Sequence, residues 1–156
     1  MHATEKVTKA SCPAHFESLL RDAGIQPTPQ RLAIAQVLLH KAVHCTADEV
    51  LQAARTLLPS LSRATVYNSL PLFVEKGLLR ALRLDSERTI YDSRTDVHSH
   101  LYHEDTGLLE DLPPAMLHSM PRPVLPPTLE LVGLDVIVHV RQSKLHETRT
   151  SDDITL

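Results

Sequence analysis

The chain has 156 residues, 42% hydrophobic and 22% charged, with ten histidines and two cysteines, the balance of an ordinary globular protein of one or two small domains. Cys12 and Cys45 stand alone, which excludes a disulfide framework, and no apolar run approaches the roughly 18 residues of a membrane span. The net charge of −3 hides a basic half (ten Lys/Arg and six Asp/Glu in residues 1–84) and an acidic one (six and thirteen in 85–156), as expected if one part faces a polyanion.

The first predicted element is a helix over 15–23, with Phe16, Leu19, Leu20 and Ala23 at helical spacing and Gly24 as its stop. Thr28 followed by Pro29 marks the start of a second helix, whose apolar residues are Leu32, Ile34, Ala35, Val37, Leu38 and Leu39. Thr46 and Glu49 have capping-box spacing. They open a third helix through Val50, Leu51, Ala54, Leu57 and Leu58, with Pro59 beyond its end. Ser62 caps a fourth, which turns Val66, Leu70, Phe73 and Val74 inward, bends at Pro71 and ends at Gly77.

The period then changes. Residues 78–84 and 89–91 flank a polar turn at 85–88 and read as a β-hairpin. Short helices followed by a hairpin form the winged-helix plan, in which the last helix enters the major groove of DNA. Its polar residues Arg63, Thr65, Tyr67, Asn68 and Ser69 are then candidate DNA contacts: Asn for adenine, Thr for a base or phosphate, Arg63 for phosphate. A helical bundle with a solvated polar face would carry the same pattern.

In the acidic half, a short strand is expected over 108–112, a helical turn over 113–120 and an extended segment at 121–127, which holds four prolines. The strongest strand pattern runs over 129–140, with Leu134, Val136, Val138 and Val140 on one face. So small a domain would be marginal alone, which favours dimerisation through that strand.

Residues 96–105 read Asp-Val-His-Ser-His-Leu-Tyr-His-Glu-Asp. His98 and His100 project to the same side of an extended segment and can grip one ion, with Asp92, Asp111 and His44 as further donors. Imidazole and carboxylate without thiolate suit Fe2+, Mn2+ or Zn2+. An ion held by both halves would clamp their orientation, which is the physics of a switch rather than a catalyst. The competing class is a small metal-dependent hydrolase, for which a glycine-rich loop and a nucleophile elbow are missing.

Three stretches, AGIQPTPQR at 23–31, LSRATVYNSLPLFVEKGLL at 61–79 and VHSHLYHEDTGLLEDLP at 97–113, resemble the ferric uptake regulator family, and within it the iron response regulator branch. The resemblance runs from about Cys12 to Lys144. It implies an α+β protein with an N-terminal winged-helix DNA-binding domain at 1–92, of which 1–14 is a mobile terminus. A small C-terminal α/β domain for metal sensing and dimerisation follows at 93–145, then a disordered tail at 146–156. It places His44, Asp92, His98, His100 and Asp111 at regulatory metal positions, for Fe2+ or Mn2+, with Zn2+ able to bind in vitro. It sets Tyr67 and Asn68 against bases and Arg31 against the DNA backbone.

The lone cysteines and the lack of a signal-peptide h-region point to a cytoplasmic protein without a membrane partner, and the resemblance implies a homodimer that is not an enzyme. That dimer would repress iron and heme homeostasis genes from an AT-rich palindromic operator in double-stranded DNA. Aspartate at both 92 and 111 is similar to the peroxide-sensing branch, so a peroxide or manganese response stays open. The family's four-cysteine structural zinc is absent, because His103 and Thr106 stand where its first cysteine pair would be. An additional family site loses its ligands to Val97 and Ser99, which isolates His118. Gln26 stands where relatives carry a Lys or Arg directed at the minor groove. Cys12-Pro13-Ala14-His15 is similar to the branch's heme motif. There Cys12 would give an axial thiolate to ferric heme, with His98 and His100 as a second heme site.

Overall fold

The computed structural model describes residues 12–85, 87–117, 120, 121 and 123–143. His118, the tail expected at 146–156 and all but the last three residues of the expected mobile terminus lie outside them. The chain forms two compact units, 1–96 and 97–156.

The first unit contains α1 (Pro13–Asp22), α2 (Pro29–Leu39), β1 (His44–Thr46), α3 (Ala47–Leu57), α4 (Arg63–Glu75), β2 (Arg80–Arg83) and β3 (Thr89–Asp92). α1 begins earlier than its apolar spacing predicts: Cys12 is the N-cap and Pro13 opens the helix. Pro13 and Ala14 are therefore helical rather than part of a mobile terminus, because a proline's fixed φ and missing N–H suit the first turn. The other three helices start where their caps predict. Thr28 Oγ1 accepts the Arg31 N–H at 3.3 Å, and Ser62 Oγ accepts that of Thr65 at 3.1 Å. Gly24 and Gly77, at φ +72 and +74, follow α1 and α4 in the left-handed conformation that ends helices.

At α3 the capping box is complete. Thr46 Oγ1 accepts the Glu49 N–H at 3.3 Å, and Glu49 Oε2 accepts the Thr46 N–H at 2.8 Å. Thr46→Ala is expected to lower stability by about 1 kcal/mol, read as a shifted urea midpoint at unchanged slope. An unshifted midpoint would show that the box contributes nothing.

The apolar stripes meet in one core that includes Phe16, Leu20, Ile34, Leu38, Val50, Val66, Leu70 and Phe73, each no more than 2% exposed. Two predicted positions move. Leu57, read as part of the α3 stripe, is 52% exposed. Ser69, read as a candidate DNA contact, is buried, because Val66, Ser69, Leu70 and Phe73 repeat at helical spacing along the inward face of α4.

The predicted hairpin is present, β2 and β3 pairing from Arg80↔Asp92 to Arg83↔Thr89. His44, expected in a loop, instead lies in β1, which adds to the other edge of β3 with His44 opposite Asp92. Three residues are too few to show strand alternation.

The second unit contains β4 (His100–His103), β5 (Leu109–Asp111), a 3-10 turn at Pro114–Leu117 and β6 (Ile137–Val140). The order is β5–β4–β6, with β5 antiparallel and β6 parallel to β4. The long strand expected over 129–140 shortens to Ile137–Val140, because β4 offers four residues to pair, from His100↔Ile137 to His103↔Val140. Leu129, Leu131 and Leu134 stay outside the strand and exposed. Helices and a sheet in the first unit with a sheet in the second make the class α+β. Among the described residues, the 3-10 turn is the second unit's only helical segment.

Candidate metal centre

Each unit carries a grouping of the predicted imidazole and carboxylate donors. In the first, the β1–β3 register sets His44 Nε2 3.6 Å from Asp92 Oδ1, with the Asp92 side chain fully buried. Asp92 Oδ1 also accepts the Arg94 N–H at 2.8 Å, which fixes the carboxylate. Ser93 ties the two strands just beside the pair. Its Oγ accepts the Val43 N–H at 3.0 Å and donates to the Lys41 carbonyl at 3.2 Å, while its own N–H donates to the Val43 carbonyl at 3.2 Å. No pattern in the sequence marks Ser93, whose partners lie some fifty residues away.

In the second unit, His98 precedes β4, His100 opens it, and Asp111 closes β5 directly opposite His100. His98 Nε2 lies 3.3 Å from Asp111 Oδ1. The rings of His98 and His100 are 4.4 Å apart between centroids, and their donor nitrogens lie within 4.8 Å of one another. His100 is 1% exposed, its N–H donating to the Val136 carbonyl at 2.8 Å.

These donor sets fit a divalent ion. Ligand atoms at roughly 2.0–2.2 Å from one ion sit about 3–3.5 Å from each other, close to both nitrogen–oxygen separations. At 3.6 Å the His44–Asp92 pair is too long for a hydrogen bond, while a buried carboxylate is stabilised by a facing cation. Cys45 adjoins His44 but packs against the first unit's core, where burial, and then Glu49, push its thiol above the ordinary value. The donors are therefore nitrogen and oxygen, the set that suits Fe2+, Mn2+ or Zn2+. His103 and His139 are engaged elsewhere, with Glu110 at 3.1 Å and Glu104 at 3.3 Å.

Of the candidate DNA contacts, Arg63, Tyr67 and Asn68 are exposed on α4. Thr65 is half-buried in the cap, its hydroxyl 2.7 Å from that of Ser62. Arg31 donates to the Gln26 carbonyl at 3.0 Å. Of the heme candidates, Cys12 is exposed, whereas His98 and His100 are largely buried. The sequence reading missed Asp48 of α3, which binds both Arg63 and Tyr67.

Residues 22–124 match the ferric uptake regulator family. The peroxide-responsive repressor PerR of Staphylococcus aureus is 37% identical over 103 residues, covering 66% of this chain and 70% of that protein. Among solved structures, the ferric uptake regulator from Pseudomonas aeruginosa with manganese is 26% identical, at TM-score 0.65, over 82% of this chain and 98% of its own. The Campylobacter jejuni peroxide stress regulator is 24% identical and shares the fold, at TM-score 0.55 over 84% of this chain and 96% of its own. Among the described residues, no helix is long and apolar enough to cross a membrane.

Proposed function

The chain belongs to the ferric uptake regulator family, and we propose that within it the protein is a DNA-binding repressor governed by one divalent ion per subunit that reports peroxide or iron. Members of the family are transcription regulators rather than enzymes. What supports the metal role is the pair of nitrogen–oxygen groupings, His44 with buried Asp92, and His98 and Asp111 with buried His100. Shared by a single Fe2+ or Mn2+, these five donors would tie a DNA-reading half to a sensing half, so that metal sets DNA affinity. Zn2+ would occupy the same set in vitro.

Aspartate at both carboxylate positions and the likeness to a peroxide-responsive repressor favour peroxide as the signal. Bound Fe2+ would supply the electrons that reduce peroxide. The chain supplies the imidazoles of His44, His98 and His100 beside it. In a cytoplasmic homodimer, each α4 would enter a major groove of an AT-rich palindrome, using Arg63, Thr65, Tyr67 and Asn68, with Arg31 on the backbone. A heme response, as in the iron response regulator branch, is a second reading. It is favoured by Cys12, exposed at the α1 N-cap with no side-chain cap hydrogen bond.

Protein loaded with Fe2+ and treated with peroxide is expected to gain one oxygen atom on a peptide holding His44, His98 or His100, and to release an AT-rich palindromic duplex. The Mn2+ form should do neither. Mass spectrometry and fluorescence anisotropy read both effects. Equal oxidation of the two forms would sink the peroxide reading, and no DNA affinity at low salt would sink the regulator.

A further inference from the structure

The start of α4 is closed into a ring by an acid from α3. Arg63 Nη2 lies 3.0 and 3.2 Å from the two carboxylate oxygens of Asp48 and donates to the Tyr67 hydroxyl at 2.9 Å. Tyr67 in turn donates to Asp48 Oδ1 at 3.1 Å, and the guanidinium carbon stacks 4.9 Å from the tyrosine ring centroid. All three side chains face solvent, Arg63 and Asp48 being 63% and 53% exposed.

A DNA phosphate presents what this carboxylate presents, two anionic oxygens that accept from a guanidinium and a hydroxyl together. Asp48 therefore occupies the donor set with which Arg63 and Tyr67 would meet DNA. Beside it, a cavity of about 540 Å³ is lined by Asp48, Asp85 and Glu87 together with Arg88. The N–H groups of Glu87 and Arg88 hold the Asp85 carboxyl below its ordinary range, so this flank stays anionic. An exposed ion pair is weak enough to exchange partners.

We propose that Asp48 is a specificity-determining residue for DNA: a built-in stand-in for phosphate that keeps Arg63 neutralised and Tyr67 in register until a fitting duplex displaces it. The inference rests on the DNA-reading role proposed above. Its consequence is that charge alone binds DNA poorly, so that fit to the bases decides.

The test titrates the full-length Mn2+-loaded wild type, Asp48→Asn, Arg63→Gln and the double variant against a labelled duplex of mixed sequence over a range of salt. Removing the acid frees one cation per subunit. In the homodimer that makes two, so Asp48→Asn is expected to bind about sixtyfold more tightly in roughly 0.1 M salt and to steepen the log–log salt slope by about two. Arg63→Gln should cost several-fold more in the Asp48→Asn background than in the wild type, a coupling that a merely structural Asp48 would not produce. Asp48→Ser serves as a second neutral variant should the asparagine protein melt early. If wild type binds but neither Asp48 variant binds more tightly, or if Arg63→Gln costs the same in both backgrounds, the proposal is wrong and the DNA role survives. If no variant binds at low salt, both fall.

Discussion

Replacing His98 and His100 together by alanine is expected to weaken Mn2+ binding at least about a hundredfold, since loss of supporting partners alone costs a site 10–100-fold. The two imidazoles are the nitrogen donors of their unit's grouping, and their removal leaves Asp111 as its one oxygen donor. His100 is also the residue least able to be replaced by a neighbour. Its backbone is fixed on one side by pairing with Asp111 and on the other by the Val136 carbonyl. The control is His103→Ala with His139→Ala, which removes two imidazoles of the same sheet that are paired with Glu110 and Glu104. Equilibrium dialysis with elemental analysis compares them. Equal losses in the two double variants, or none in either, would discard the ligand assignment.

The second large effect is on folding. Phe73→Ala is expected to cost roughly 3–5 kcal/mol, against a total of about 5–15 kcal/mol for a domain. Phe73 is fully buried, and α4 enters the core through it together with Val66 and Leu70. A cavity there loosens the helix that carries Arg63, Tyr67 and Asn68, so DNA affinity should fall with stability. Leu57→Ala is the comparison, an apolar residue of the α3 stripe that is 52% exposed. It should cost under about 1 kcal/mol. Urea unfolding measures both, and similar losses would mean that the core is not where these burial values put it.

What could be read in advance follows the range of the interactions. Helix starts at Thr28, Thr46 and Ser62 were legible because a cap is chemistry completed within three residues. The His98-x-His100 pair was legible because an extended chain sets such residues on one side. His44 and Asp92 could be named as donors but not as direct neighbours, since β1 is three residues long and pairs with a strand nearly fifty positions on. The strand over 129–140 was overread because alternation records what a segment could pair, whereas β4 sets how much it does pair. Ser69 misled because a lone polar residue on an apolar stripe looks exposed in a list of letters. Asp48 carried no signal at all, its partners being fifteen and nineteen residues away across two helices.

The parallel pairing of β4 with β6 has a consequence for biosynthesis. The first unit's β2–β3 hairpin joins near neighbours, and its strands can pair as soon as they leave the ribosome. β4 pairs with β5 just as promptly, but its other edge waits for Ile137–Val140, more than thirty residues further along the chain. Until residue 140 has been made, that edge presents unsatisfied backbone N–H and C=O groups to any passing strand. Nascent chains on the same message are the nearest source of such strands, so the interval before β6 emerges is when mispairing between copies threatens yield.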